Sequence, residues 1–527
     1  MSTTTRPPGP TPTPREVSTI DPDAVGAGPH AGTGRRHLGS RVAAVGGALV
    51  AAAAAAVSGL ATLGTSPTWV YLPLLAGIGV ALGMLALTRF AGFVYLLLLT
   101  RTGLDLLKLS GPAAGNTNTN TAAARGLDPS TLVGLLVIVA GTLWLIAQYS
   151  RPADPSPGGR PPASRLRVAW IALIVAAVLS LFGSQNPLVS LIGITRLLAV
   201  AVMFLVLEQL VRDAKSVRTA IAVAFGSLVI PLTYTAFGFV SGHPAADVKS
   251  SFVRITGPFT QSTTFARYLA FLIVFGVAIL PYVKGRARVA LVGGLSLSSV
   301  FLLLTLTRGA LLATVLGLLA VVVLQRRWKL LLGLGAAGLL ALTLVPGLGS
   351  RLDAVTQERA VGQAPTSNSL EWRLSYWAET LPLADRQPVN GIGYDMTQYK
   401  TDVAKQPHND FIKAYVETGI LGLGAYLYLC WQIVVIGLRA VRRTVVGTWG
   451  RAVAAGYLAC AGMFVLQSVA ANVISSVVVL WYLAVFAAAA LAVTRLPEVA
   501  GPVRRSRAPR AATPDLVPSV SDTLEKP

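Results

Sequence analysis

The sequence predicts an all-α, polytopic membrane protein, and three observations carry that expectation. Hydrophobic residues make up 53% of the 527-residue chain and charged residues only 13%, more apolar surface than a soluble fold hides. Apolar runs of about 17–25 residues recur along its length, enough to cross a bilayer core of roughly 30 Å. The net charge of +22 is scattered over the short breaks between runs, a pattern of cytoplasmic loops rather than of a nucleic-acid surface. Backbone groups in lipid must be satisfied within the segment that spans it, so these runs are expected as helices.

Residues 1–41, rich in Pro, Thr, Gly and Arg, read as a disordered cytoplasmic tail. The alanine-rich run 42–62 has a long leader and a span-length core, which favours an uncleaved first helix over a signal peptide. Further spans are expected near 68–88, 91–107, 129–148, 168–184, 188–208, 219–240, 265–283, 289–306, 309–324, 330–346, 410–436, 452–472 and 475–494, about fourteen in all. The third is interrupted by Arg101 and Asp105. The transmembrane body is thus 42–494, and residues 495–527, with Arg504, Arg505, Arg507 and Arg510, read as a disordered basic cytoplasmic tail. Cys430 and Cys460 fall inside apolar runs, which argues against a disulfide framework or a metal site.

Orientation follows from charge. With a cytoplasmic N-terminus, the inner segments hold about 29 of the 44 Lys and Arg residues and the outer loops about 10. Both termini are then cytoplasmic. Three outer segments are long enough to act: 108–128, 241–264 and 347–409. The last carries its own helical signal, with Asn368 and Glu371 as an N-cap pair and apolar residues from Leu370 to Leu381.

Chemistry concentrates at the ends of these outer segments. Of the four histidines, His408 alone ends the long loop at the bilayer, where a neutral imidazole can take a proton from an arriving hydroxyl. A helix-capping turn is the other reading of that position. Arg308 falls between two nearly fused apolar runs, where an arginine either pairs with a ligand or snorkels to headgroups. Arg254, in the second outer segment on the same side, is either a solvated loop residue or half of a diphosphate grip, since guanidinium forks match phosphate oxygens. Arg101 and Arg196 are expected to pair within the bundle. Arg373 and Trp377, four residues apart, share a helix face and offer a cation beside an aromatic for a sugar or phosphate. Asp410, Lys413 and Glu417 recur at helical spacing and suggest ion pairing among themselves. No nucleotide-binding, metal-ligand or nucleophile-elbow motif occurs in a credible context, so neither cofactor nor metal is expected.

Taken together, Arg254-Ile-Thr-Gly257-Pro-Phe259, Thr307-Arg308-Gly309, Arg373-Leu-Ser-Tyr-Trp377, Pro388-Val-Asn-Gly391-Ile-Gly393, His408-Asn409 and Glu417-Thr-Gly419-Ile-Leu-Gly422 resemble the O-antigen ligase and O-antigen polymerase superfamily over roughly residues 190–435. The resemblance implies a GT-C-like membrane glycosyltransferase of the cell envelope that works in polysaccharide biosynthesis. It implies a glycan donor on undecaprenyl diphosphate at the outer face of the cytoplasmic membrane and a saccharide or other hydroxyl acceptor. By the same resemblance His408 activates the acceptor and Arg254 and Arg308 hold the diphosphate, with Arg373, Trp377, Asn409 and Glu417 as further substrate-binding candidates. A metal-independent, inverting transfer is implied. After Phe259 the sequence departs from the usual asparagine-rich turn, carrying Thr260-Gln261-Ser262-Thr263 instead. Ligase and polymerase share these motifs and remain alternatives. A transporter or flippase of lipid-linked saccharides is the reading from another class; against it, no internal repeat is found.

Overall fold

The computed structural model describes residues 67–107, 129–150, 164–249, 252–333, 335, 369–401 and 405–496. The predicted N-terminal tail, the first predicted span (42–62), the predicted C-terminal tail beyond residue 496 and most of 330–346 lie outside them, as does Asn368. The first helix, α1 (Pro67–Thr88), belongs to one compact unit, and all that follows belongs to a second unit beginning at Arg89.

The second unit is helical throughout its spans: α2 (Phe90–Thr100), α3 (Pro129–Tyr149), α4 (Leu166–Leu179), α5 (Pro187–Leu210), α6 (Ala214–Gly226), α7 (Val229–Val240), α8 (Ser262–Ile279), α9 (Gly285–Leu304) and α10 (Arg308–Gln325). The outer-loop helices α11 (Ser369–Thr380) and α12 (Thr397–Lys400) follow, then α13 (Asp410–Arg443), α14 (Trp449–Ser468) and α15 (Val477–Val493). Among the described residues nine helical segments are long and apolar enough to cross a membrane, with two shorter apolar helices, Gly77–Thr88 and Val477–Val493. The protein is a multi-pass helical membrane protein.

Local chemistry sets where these helices begin. Pro187 opens α5 behind Asn186, whose side chain accepts from the Val189 N–H, and Asp213 and Ser216 close a reciprocal capping box on α6. The expected span 219–240 is a single crossing broken at Ser227–Leu228 into α6 and α7. The expected span 91–107 is shorter than its apolar run suggests. Its α-helix stops at Thr100, and a 3-10 segment from Arg101 to Leu107 carries the Arg101–Asp105 ion pair at 3.4 Å. Eleven residues of α-helix rise roughly 16 Å, about half the bilayer core.

Packing sorts the helices. α15 is buried all round, as expected of a helix apolar on every face, and lies against α5, α6, α8, α13 and α14. α3, α9 and α10 instead present exposed Val139, Leu143, Ile146, Val289, Val300, Leu312 and Val315, faces suited to lipid. One element departs from the all-α expectation. The second outer segment forms an antiparallel hairpin of β1 (Ala246–Lys249) and β2 (Phe252–Ile255), with Asp247 opposite Arg254.

Candidate active site

A cavity of about 1050 Å³ is lined by residues from the 3-10 segment, α3, α5, β2, α8, the α9–α10 turn, α11, the 405–408 loop and the α14–α15 loop. Arg254, Arg308, Arg373 and His408, four of the residues singled out from sequence, line it together. So do Arg101, Arg196, Arg267 and Lys405, whereas Asp105 is the one carboxylate among the described lining residues. A cavity this cationic favours an anionic occupant.

The first cationic pair forms at the turn between α9 and α10. Strand β2 delivers buried Arg254 to this turn, where Nε donates to Thr305 O at 2.9 Å and Nη2 to Thr307 Oγ1 at 2.7 Å. Arg308 is the first residue of α10, one position from that hydroxyl, and its buried Nε has no hydrogen-bond partner among the described residues. Leu306 between them has φ +47°, a left-handed conformation that costs a non-glycine residue about 1–3 kcal/mol and is held by surrounding structure. The turn is therefore built to bring two guanidinium groups to one helix N-terminus, itself an anion-favouring end.

His408 is fixed from two sides. Tyr376 donates to Lys405 O, and Trp377 Nε1 donates to Pro407 O at 2.7 Å, so α11 holds the loop on either side of Gln406. Gln406 Nε2 donates to Asp395 Oδ1 at 3.0 Å and its Oε1 accepts from Lys413 Nζ at 2.7 Å. His408 has φ +52°, and its ring meets the Trp372 ring edge-on at 5.9 Å. Lys405 Nζ sits 5.2 Å from the other aromatic system of that contact, the Trp372 ring. Asn409 follows as the N-cap of α13, accepting from the Phe411 and Ile412 N–H groups at 2.9 and 3.2 Å.

Behind the loop lies a buried ionic core. Lys413 Nζ lies 2.6 Å from Asp395 Oδ1 and 2.8 Å from Glu417 Oε2. Glu417 also accepts from Asp395 N–H at 2.7 Å and Thr397 Oγ1 at 2.8 Å. Burial opposes ionisation of Asp395, but Lys413 and, further off, Arg196 prevail and hold its carboxyl below the usual range. Asp410 belongs to a different contact from Lys413 and Glu417: its Oδ2 accepts from the Val473 and Ile474 N–H groups at 2.9 and 3.1 Å, tying α13 to the α14–α15 loop. The ion pairing expected among these three residues joins two of them, with Asp395 as the third member.

The glycine motifs hold this core in place. Ile392 N–H donates to Val416 O and Gly393 N–H to Glu417 O, both at 3.1 Å, while Ile420 N–H donates to Pro388 O at 2.9 Å. Gly419, at φ +67° and ψ −167°, breaks α13 so that this exchange is possible. A Cβ on Gly391 would lie 2.3 Å from Glu417 C, and one on Gly419 2.1 Å from Val389 O. The Pro388–Gly393 and Glu417–Gly419 segments, far apart in the sequence, are two halves of one backbone clamp.

Trp377, Asn409 and Glu417 are thus engaged with the protein and are not among the cavity-lining residues; the tryptophans that line it are Trp372 and Trp481. Arg101 pairs with Asp105 as expected and also stands 5.8 Å from the Trp481 ring. Sequence reading missed Asp395, Gln406 and the cavity role of Arg267. It also missed Gln467 and Asn472, whose Nε2 and Oδ1 are buried on the cavity wall with no hydrogen-bond partner among the described residues. Only Arg267, a charge near the start of an apolar run, gave a signal that could have been followed. Among the described residues no three His, Cys, Asp or Glu side chains gather as a metal site.

Fold and cavity define a class, a multi-pass helical membrane protein with a cationic, histidine-bearing site where its long loop meets the bundle. Residues 293–427 match the family model described as O-antigen ligase, which supports the resemblance to the O-antigen ligase and polymerase superfamily. The match takes in Arg308, Arg373, His408 and the clamp, and leaves Arg254 and Arg267 upstream. No curated protein matches the chain.

Proposed function

We propose that this glycosyltransferase-type protein moves a glycan from undecaprenyl diphosphate to an acceptor hydroxyl at the outer face of the cytoplasmic membrane. The observation that carries the reading is the convergence of Arg254, Arg308 and His408 on one strongly cationic cavity. A sugar on a diphosphate is already activated, so transfer asks for charge stabilisation at the leaving group and a positioned base. The acceptor oxygen forms its bond to the anomeric carbon as the bond to the diphosphate oxygen breaks. His408 takes the acceptor's proton, and Arg254 and Arg308 receive the growing charge on undecaprenyl diphosphate. Attack opposite the leaving group inverts the anomeric centre and requires no metal. Asn409, Trp377 and Glu417 serve as positioning residues behind His408, and Arg373 as a substrate contact. The tails 1–41 and 495–527 lie in the cytoplasm, flanking a membrane domain over 42–494.

Purified protein given undecaprenyl-diphosphate glycan and an acceptor is expected to release undecaprenyl diphosphate and form a glycosidic bond of inverted configuration. Absence of release by wild-type protein with a range of acceptors defeats the proposal. Surface glycans of a deletion strain separate the two forms of the activity: loss of long chains with single units still attached marks a polymerase, and loss of all attachment marks a ligase.

A further inference from the structure

The cavity carries more positive charge than one diphosphate requires. Its described lining places six arginines and Lys405 against Asp105 alone, and Asp105 is already paired with Arg101. Arg254 and Arg308 meet at the turn between α9 and α10, where a single diphosphate engages both. A second cationic pair comes from other elements. Arg267, on the second turn of α8, and Arg373, on α11, are near enough for their charges to repel, and both are half-buried on the cavity wall.

Holding like charges together away from bulk water is costly unless an anion joins them. The protein supplies little compensation. Arg267 Nη1 donates to Ser476 Oγ at 3.2 Å and feels the attraction of Asp410, whose Oδ2 accepts from two backbone N–H groups and the Tyr426 hydroxyl and whose Oδ1 has no hydrogen-bond partner among the described residues. One carboxylate cannot neutralise two guanidinium groups, and Arg373 has no ion pair or hydrogen bond among the described residues. Gln467 and Asn472 line the same cavity, and Gln467 Nε2 and Asn472 Oδ1 are buried with no hydrogen-bond partner among the described residues, as expected where a polar ligand completes the hydrogen bonding. Both arginines line the same cavity as His408, and Arg373 comes from α11, the helix whose Trp372 ring meets the His408 ring at 5.9 Å.

We infer that Arg267 and Arg373 form an anion subsite on the acceptor side, so that the acceptor is an acidic glycan bearing a carboxylate or a phosphate. The inference rests on the proposed function for the meaning of "acceptor side", but the subsite itself is a binding property and can be measured alone. A guanidinium fork recognises either anion, so the chemistry is shared and the experiment must tell the two apart.

The full-length protein is reconstituted in phosphatidylcholine nanodiscs, and equilibrium binding is measured for three probes: a glucuronic-acid-containing disaccharide, a neutral disaccharide bearing a 6-phosphate, and its neutral parent. Undecaprenyl diphosphate is titrated separately. At least one charged probe is expected to bind about 10-fold or more tightly than the neutral one, the worth of one charge-assisted hydrogen bond. Which probe does so identifies the anion. Arg267→Gln and Arg373→Gln should each abolish that preference while leaving undecaprenyl diphosphate binding within about threefold. Arg373 lies outside the spans, so Arg373→Gln carries the test if Arg267→Gln accumulates poorly. Equal binding of the three probes, a preference that survives Arg373→Gln, or loss of undecaprenyl diphosphate binding in step with the preference each overturns the inference. Failure of wild-type protein to bind undecaprenyl diphosphate, with the preference intact, instead removes the proposed donor and leaves the subsite standing.

Discussion

At His408, position and chemistry can be separated by substitution. His408→Ala should lower transfer about 10²–10⁴-fold, the usual worth of a positioned base, with donor binding near wild type. Asn409→Ala should lower it less, since its side chain caps α13 through Phe411 and Ile412 and that loss is worth about 0.5–2 kcal/mol of stability. Turnover assays on purified variants read both effects, and normal turnover by His408→Ala would remove the base. For the arginines, charge and geometry are the two variables. Arg254 already spends Nε and Nη2 on Thr305 and Thr307, which aims the rest of the guanidinium. Lysine keeps the charge and loses the fork, so Arg254→Lys and Arg308→Lys should each weaken undecaprenyl diphosphate binding and slow transfer. Full activity of both at limiting donor would return Arg308 to a headgroup-facing role.

Among the elements, the clamp between the 388–393 loop and the broken start of α13 explains why a site on a long loop can be rigid. Gly391 has φ +74° and its missing Cβ would meet the Glu417 backbone, so Gly391→Ala should cost about 1–3 kcal/mol or more from backbone strain and overpacking. Lys413→Met should cost about 3–5 kcal/mol, because it strands Glu417 and Asp395 without their cation. Thermal unfolding in detergent checks both, and an unchanged midpoint in Lys413→Met would show that the ionic core does not bear on stability. Either change is also expected to loosen Gln406, and with it His408, so activity should fall at temperatures below the unfolding transition.

For the whole molecule, the reading depends on which face of the membrane the cavity meets. From the asymmetry of Lys and Arg, 241–264 and 347–409 are expected outside. Cysteines introduced at Ser250 and Ser367 should react with an impermeant maleimide in intact cells, and one at Gly285 should not. Labelling at Gly285 alone would invert the protein and move the cavity to the cytoplasmic side, away from any outer-face acceptor.

What the sequence determined by itself is what local pattern controls. Apolar run length marked the spans, because lipid leaves backbone groups no partners but their own. The rarity of charge at the edges of those runs made Arg308 conspicuous, and position on the loops that join them singled out Arg254 and His408 before any contact was known. The expected span 91–107, which Arg101 and Asp105 interrupt in the sequence, is α-helical only to Thr100 and continues as a 3-10 segment in which those two residues pair. Tertiary structure decided which charges share a space. Lys413 meets Asp395 across 18 positions, Arg267 reaches Ser476 across 209, and two glycine motifs that look like ligand loops close on each other. No periodicity encodes such pairings, because they depend on how helices distant in sequence pack. Packing therefore gathers six arginines around one cavity, whereas the sequence paired only Arg254 with Arg308 and left Arg101, Arg196, Arg267 and Arg373 unconnected to them.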